Sequence, residues 1–320
     1  MARLSICIPT YNRARILDDT LGRLPLFDCE IVVSDNASPD DTSEVVTKHM
    51  RYDRRIRYVG LPENRGVHAN ERHAVEAATG ELVCYLADDD SLLSEPLLAV
   101  CGLFERDPEL VACYCDHICW DDARGVELHR YGFPAQPHEY RNDGFALVEF
   151  LLRQRLAPEI GVYRRNAWLA AHVPCSRAMP FHIWCYAFHR LGKARFDPTC
   201  FYREHWILKP GLARTYWNNQ TAFNYIGDEQ RLGLEAVIRL AELDAGGPRG
   251  SSSLTNLLDQ MLLERTSIEI QRAFQRGDEV LCVELRRRQR LWGSPESSSD
   301  ALLATRAAEK TGFDEEMFRV

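Results

Sequence analysis

The chain has 320 residues, 45% of them apolar, and a formal net charge of -8 from 47 acidic and 39 basic side chains. That size holds one large domain with an appendage, or two domains, and enough apolar side chains for a full core. The acidic balance provides no basic face of the kind nucleic-acid binders show. No stretch reaches the roughly 18 apolar residues a membrane helix needs. The N-terminus lacks a secretory pattern, so a soluble, cytoplasmic protein is expected.

The first ninety residues repeat a rhythm. Apolar runs begin at Leu4, Glu30, Ile56 and Leu82. Between the first two lies 13–24, with Ile16, Leu17, Leu21 and Leu24 at helical spacing. A second helical segment, 40–50, opens with Ser38-Pro39-Asp40. A third, 67–79, is followed by Gly80 in the place of a helix terminator. Strand–helix alternation at this spacing predicts right-handed βαβ units and a parallel sheet. The fourth run, 82–86, ends in three consecutive carboxylates, Asp88, Asp89 and Asp90. Like charges at a strand end repel, and a hard divalent cation bridging a substrate's phosphates would reconcile them.

Ligands of such sheets bind beyond the carboxyl ends of the strands. Four polar loops fall there: Pro9-Thr-Tyr-Asn-Arg13, Asp35-Asn-Ala-Ser38, Glu63-Asn-Arg-Gly66 and Asp88-Asp-Asp90. Their convergence on one composite site is a topological consequence.

Further along, a helix is expected over 94–105, then short strands, turns and a helix at 144–153 over 107–157. A strand at 161–165 leads into a helix near Asn166, a helix over 180–191 ends at Gly192, and 200–205 reads as a strand. From about residue 212 helical patterns dominate, at 221–245, 254–275 and 278–292, separated by Gly- and Ser-rich segments at 246–253 and 293–299. The basic run Arg286-Arg-Arg-Gln-Arg290 reads as a solvated helix face, with anionic lipid head groups as the alternative partner.

The eleven cysteines include one cluster, Cys113, Cys115 and Cys119 with His117. As a strand these four share a face, and Cys113 and Cys119 then stand about 20 Å apart at about 3.3 Å per residue. That excludes a shared tetrahedral zinc. The odd count argues against a disulfide framework.

Leu4-Ser-Ile-Cys-Ile-Pro-Thr-Tyr-Asn-Arg13, Ile31-Val-Val-Ser-Asp-Asn-Ala-Ser38, Glu63-Asn-Arg-Gly66 and Leu86-Ala-Asp-Asp-Asp90 resemble, in order and spacing, the motifs of family 2 glycosyltransferases. The resemblance covers 3–105 well and 160–206 more loosely. It implies the GT-A fold: a Rossmann-like, mainly parallel α/β sheet flanked by helices. The expected division is a GT-A domain over 1–210, with a donor half (1–105) and an acceptor half (106–210), and a helical C-terminal region over 211–320. It also implies an inverting transfer from a nucleotide-sugar donor with Mn²⁺ or Mg²⁺. UDP is favoured and dTDP is the alternative. The acceptor hydroxyl belongs to a glycan or lipid-linked glycan, as in bacterial surface-polysaccharide synthesis. Peripheral contact with the inner membrane face and self-association through the helical region are left open.

The same resemblance implies residue roles. Pro9, Thr10 and Tyr11 line the base and ribose pocket, with Arg13 in the same loop. Asp35 binds the base, a role compatible with turn formation. Asn64 and Arg65 face the donor, Arg65 as a phosphate partner. Ala87 stands where the family has its first aspartate. Asp89 then holds the metal, with Asp88 near the ribose and Asp90 in support, whereas a shifted alignment pairs Asp88 with Asp90. His205 adds a metal or diphosphate contact. For the catalytic base, the stretch 178–184 lacks the usual carboxylate and offers His182. Glu159 and Asp116 are the other candidates.

Two rivals remain at this level. A sugar nucleotidyltransferase would carry a Gly-rich basic loop after the first strand, which 9–13 lacks. A catalytically silent nucleotide- or glycan-binding protein would explain the missing carboxylate.

Overall fold

The structure is a computed structural model. It describes residues 3–171, 181–207, 228–245 and 251–275, with 277, 282–283 and 285–287. The chain begins β1 (Leu4–Thr10), α1 (Ala14–Leu21), β2 (Glu30–Asp35), α2 (Thr42–Met50), β3 (Ile56–Gly60), α3 (Val67–Ala77) and β4 (Leu82–Tyr85). It continues with β5 (Ser91–Leu92), α4 (Ser94–Arg106), β6 (Leu110–Asp121), β7 (Val126–Tyr131), β8 (His138–Tyr140) and α5 (Gly144–Gln154). Then come β9 (Gly161–Arg164), α6 (Arg165–Ala171), α7 (Phe181–Leu191), β10 (Lys193–Ile207), α8 (Asp228–Asp244) and α9 (Ser251–Gln275).

The strands order as β3-β2-β1-β4-β9-β6-β10-β5, with β7 added to β6 and β8 to β10. β3, β2, β1 and β4 run parallel, as do β6 and β10. β9 runs antiparallel to both neighbours, β4 and β6. The order reverses beside β1: β2 lies on one flank and β4 on the other. The crevice beyond the carboxyl ends of β1 and β4 is therefore a topological switch point, where open α/β sheets bind ligands.

Apolar content follows this burial. All seven residues of β1 are buried, as a parallel strand covered on both faces requires. On α4, Leu97, Val100, Cys101 and Phe104 recur at helical spacing and are buried. Each such side chain contributes about 1.5–3 kcal/mol relative to exposure. The core gathers Ile6, Ile8, Leu17, Ile31, Val33 and Leu86 around the sheet. Gly80 lies against this sheet: a Cβ there would stand 2.6 Å from the Arg3 carbonyl. It serves close packing and not helix termination, since α3 ends at Ala77.

The region expected to hold short strands, turns and a helix contains the short β7 and β8 and the helix α5, but also the twelve-residue β6, whose pairing with β9 and β10 extends it. Cys113, Cys115, His117 and Cys119 do alternate along β6. Cys113 and Cys115 approach at 3.9 Å between sulfurs, and His117 stacks on Tyr131. Among the described residues, no group of three or more His, Cys, Asp or Glu forms a protein-only metal cage, and all ten described cysteines are free. No described helix is long and apolar enough to cross a membrane.

The chain divides into two compact units, one of Met1–Val148 with Leu156–Thr215 and the other of Glu149–Arg155 with Tyr216–Val320. In the second, α8 buries Leu234, Val237, Ile238 and Ala241, and α9 buries Leu254, Leu258, Met261 and Leu262. Of the expected C-terminal features, 221–227, most of 278–292, the segment 293–299 and basic residues 288–290 lie outside the described residues. So do 178–180, ahead of α7.

Candidate active site

The acidic loop after β4 is buried: Asp88, Asp89 and Asp90 are 4–5% exposed. Each carboxylate is held from a different side. Asp88 accepts a hydrogen bond from Thr10 Oγ1 at 2.6 Å, and the Arg13 guanidinium lies 2.6 Å from it and 3.2 Å from Asp89. The positive group that the triplet calls for is thus in part internal. Thr20 Oγ1 donates to the Asp88 carbonyl at 2.8 Å, so α1 also fastens this loop. Asp90 faces β10, accepting from Tyr202 Oη at 2.7 Å and from the His205 backbone N–H at 2.8 Å. Tyr202 Oη in turn accepts from the Ala87 N–H at 3.0 Å.

The charge is not balanced. Burial pushes the Asp88 carboxyl up, and Arg13 opposes that. Burial, then the Asp89 charge, push Asp90 well above the usual carboxylate range. A site that holds carboxylates against their own repulsion is suited to a cation.

The donor-side loops are tied to one another by side chains. Asn12 N–H donates to Ser38 Oγ at 2.9 Å, and Ala14 N–H donates to Asp40 Oδ2 at 2.9 Å, linking the loops after β1 and β2. Asn12 and Ala37 both adopt left-handed backbone, φ 54° and 60°. For alanine that is a strained conformation, held by the surrounding bonds. Asn36 bridges onward, donating to Asn64 Oδ1 at 2.9 Å and accepting the Arg65 N–H at 2.8 Å. The Arg65 side chain is exposed and Tyr11 is half-buried, whereas Pro9 and Thr10 are buried at the end of β1. Asp35 is 4% exposed, with one oxygen accepting from Ser38 and the other from Tyr58 Oη at 2.7 Å. It organises the turn rather than capping α2, whose N-cap is Asp41.

His205 is 1% exposed. Its Nδ1 lies 2.8 Å from Asp122 Oδ1, and a carboxylate can only accept, so Nδ1 carries the proton. Nε2 then accepts from Ser91 Oγ at 2.8 Å, with Arg23 at 3.2 Å. Burial, then Arg23, push the imidazole down to about 4, so it is neutral. A histidine whose other N–H meets a carboxylate is the usual arrangement of a metal ligand. Here the Nε2 lone pair is taken by Ser91, and the ring as placed is a strut between β10, β5 and Asp122.

The three base candidates separate. Asp116, on β6, accepts the Phe133 N–H at 2.6 Å, and its charged neighbours are Arg130 and Asp197. His182 is 3% exposed, with Nε2 donating to the Leu156 carbonyl at 2.9 Å. Glu159 is half-buried and interacts electrostatically with Glu204, Glu71 and Tyr85. Tyr85 in turn feels Asp88 and Asp90. Glu159 thus shares its electrostatic surroundings with Tyr85, at the strand end before the acidic loop, and the other two have different local partners. Asn36, Tyr202, Ser91, Asp122 and Glu71 were not singled out from sequence. Only Tyr202 and Asn36 lie inside recognisable motif strings.

The donor set fits a hard cation. With both His205 ring nitrogens engaged by Asp122 and Ser91, the donors are carboxylate oxygens, and a Mg²⁺- or Mn²⁺-type site shared with a diphosphate draws only one or two protein carboxylates. Asp89, with Asp90 beside it, would supply them.

The sequence profile described as Glycosyl transferase family 2 matches residues 5–166. Over 102 residues the chain is 39% identical to GalNAc(5)-diNAcBac-PP-undecaprenol beta-1,3-glucosyltransferase of Campylobacter jejuni, covering 30% of this chain and 33% of that protein. Over 116 residues it is 30% identical to an abequosyltransferase of Salmonella typhimurium, covering 34% and 35%. These alignments span about a third of each relative's length. Among solved structures, Staphylococcus aureus TarS in complex with UDP-GlcNAc superposes with TM-score 0.52 at 16% identity, over 88% of this chain and 79% of that one. The mannosyltransferase PcManGT of Pyrobaculum calidifontis, in complex with GDP-Man and Mn²⁺, gives TM-score 0.52 at 16% identity over 98% and 81%. Such identities speak for the GT-A fold alone, whereas the sequence profile covers half the chain. The chain belongs to glycosyltransferase family 2.

Proposed function

We propose that this protein is an inverting glycosyltransferase. It moves a sugar from a nucleotide diphosphate, UDP in the first instance, to a hydroxyl of a glycan or lipid-linked glycan. One observation carries the reading: loops that follow four separate strands are cross-linked into a single wall by Thr10–Asp88, Arg13–Asp88, Asn12–Ser38 and Asn36–Asn64 contacts. The UDP-GlcNAc complex of a similar fold supports the choice of donor class, and a GDP-Man complex keeps the nucleotide open. Residues 1–210 form the catalytic domain in this reading and 211–320 an accessory helical region.

In this reading Pro9, Thr10, Tyr11 and Asp35 hold base and ribose. Arg13, Asn64 and Arg65 meet the phosphates, and Asp88 meets the ribose. Asp89 and Asp90, with His205 behind them, hold a divalent cation. That cation supplies neutralisation of the charge growing on the departing diphosphate. Arg13, already salt-bridged to Asp88 and Asp89, can transfer its guanidinium to phosphate oxygens when the carboxylates gain another partner.

The test is binding and slow hydrolysis of UDP-GlcNAc, UDP-glucose and GDP-mannose by the purified chain, with and without Mn²⁺. Metal-dependent turnover that disappears in Asp89→Ala is expected. Failure to bind UDP, GDP or any of these donors would sink the reading.

A further inference from the structure

We propose that Glu159 is the proton acceptor of the transfer and that His182 is its positioning residue. The inference rests on the transferase reading above. It starts from the placement of β9. This strand inserts antiparallel between β4 and β6, with Cys84 opposite Val162 and Tyr114 opposite Gly161. Continued by the 3.0 Å bond from Cys115 N–H to the Ile160 carbonyl, that register brings residue 159 level with the segment that follows Tyr85. Glu159 therefore stands at the carboxyl end of β4, beside the start of the acidic loop. The position is pinned, because a Cβ on Gly161 would lie 2.7 Å from the Cys113 carbonyl.

The neighbours agree with this placement. Glu71 on α3, Tyr85 on β4 and Glu204 on β10 share Glu159's field, as does Tyr163 on its own strand. Glu71 is held by His68 at 3.0 Å, and His68 meets Trp184 of α7 edge-on at 5.5 Å. In this proposal the Glu159 carboxylate meets an acceptor hydroxyl that enters between the donor loops and α7. Burial, then Glu204 and Glu71, push its carboxyl up to about 8, close to the working range of a general base. His182 lies on α7 and is buried. A carbonyl can only accept, so its Nε2–H donates to Leu156, three residues before Glu159. It anchors the loop that delivers the carboxylate.

The chemistry balances. As the acceptor oxygen bonds to the anomeric carbon, its proton passes to a Glu159 oxygen. The bond from that carbon to the diphosphate oxygen breaks, and its electron pair leaves with the diphosphate.

The experiment uses the full chain with Mn²⁺ and whichever of UDP-GlcNAc and GDP-mannose the wild type hydrolyses, water serving as acceptor. Glu159→Gln is expected to bind the nucleoside diphosphate as wild type does and to lose at least about a hundredfold in turnover. A loss under about tenfold with binding intact overturns the assignment. The wild-type rate should rise with pH through about 8, since only the ionised carboxylate accepts a proton. His182→Ala should keep that rising limb at reduced amplitude. If it abolishes the limb while Glu159→Gln retains it, the two roles are reversed and the proposal falls. Should Glu159→Gln fail to fold, Glu159→Ala takes its place with the same two readouts, and near-wild-type turnover with binding intact overturns the assignment. A wild type that neither binds nor hydrolyses either donor defeats the transferase reading itself, a distinct outcome.

Discussion

Arg13 and Asp88, 75 residues apart in the chain, meet at 2.6 Å, and the same guanidinium nitrogen lies 3.2 Å from Asp89. The first loop of the sheet thus carries the counter-charge for the fourth. Burial would lower the Arg13 pKa, but Asp88 and Asp89 outweigh it and hold the guanidinium firmly charged.

Arg13→Ala therefore leaves buried carboxylates uncompensated, at a cost of about 3 kcal/mol. The melting temperature should fall. Millimolar Mn²⁺ should raise it more in the variant than in the wild type, because a cation can take the vacated role. Equal metal-induced shifts in the two proteins would show that Arg13 does not occupy cation space.

Tyr202→Phe removes one hydroxyl that serves both the Ala87 N–H and the Asp90 carboxylate. Both groups are then left short of a partner in a buried site, costing about 1–3 kcal/mol. Metal-dependent turnover should fall with stability, as the acidic loop loses one of its two ties to β10 through Asp90. Denaturant titration beside donor hydrolysis checks this, and unchanged stability would discount the bond pair.

Glu30 gives a pH-dependent stability prediction remote from the chemistry. Burial would raise its carboxyl, but donors from Ser5, Thr79 and Arg57 outweigh it and hold the group down to about 2. A depressed folded-state pKa contributes stability that is fully present above the unfolded value near 4.5. That contribution is lost as pH falls toward about 2. Glu30→Gln should be less stable than wild type by about 2–3 kcal/mol at pH 7, and the gap should close on acidification across that window. A gap independent of pH would contradict the linkage.

Gly161→Ala drives a Cβ to 2.7 Å from the Cys113 carbonyl, so β9 and β6 must part. A penalty of about 1–3 kcal/mol is expected, with turnover falling alongside because Glu159 is displaced. Glu159→Gln should instead leave the melting temperature near wild type. Identical effects of the two changes on stability would argue that Glu159 matters for packing alone.

Much of the donor half was legible in the residues. The alternation of apolar runs and helical segments over 4–86 predicted parallel βαβ units, and the strand-end rule gathered the loops after β1, β2, β3 and β4 at one edge. The short β5, the full length of β6 and the antiparallel insertion of β9 were not legible. They depend on pairing between distant segments: β5 has only two residues, and β9 pairs with strands whose apolar runs read the same in either direction. Asp35 carried a turn signal, yet its second partner, Tyr58, comes from another strand.

The sequence by itself determined the resemblance to family 2 glycosyltransferases, carried by four local motifs, and the convergence of the strand-end loops, Asp88–Asp90 among them, which follows from local periodicity. Tertiary structure alone decided how that loop's charge is shared. It gave Arg13 to Asp88 and Asp89, and gave Tyr202 and the His205 backbone to Asp90. It also gave Asp116, His182 and Glu159 different surroundings, where the sequence had put His182 first and the two carboxylates as the other candidates. Burial, register and the partners met across the sheet are properties of the packed chain, and no spacing along the sequence encodes them.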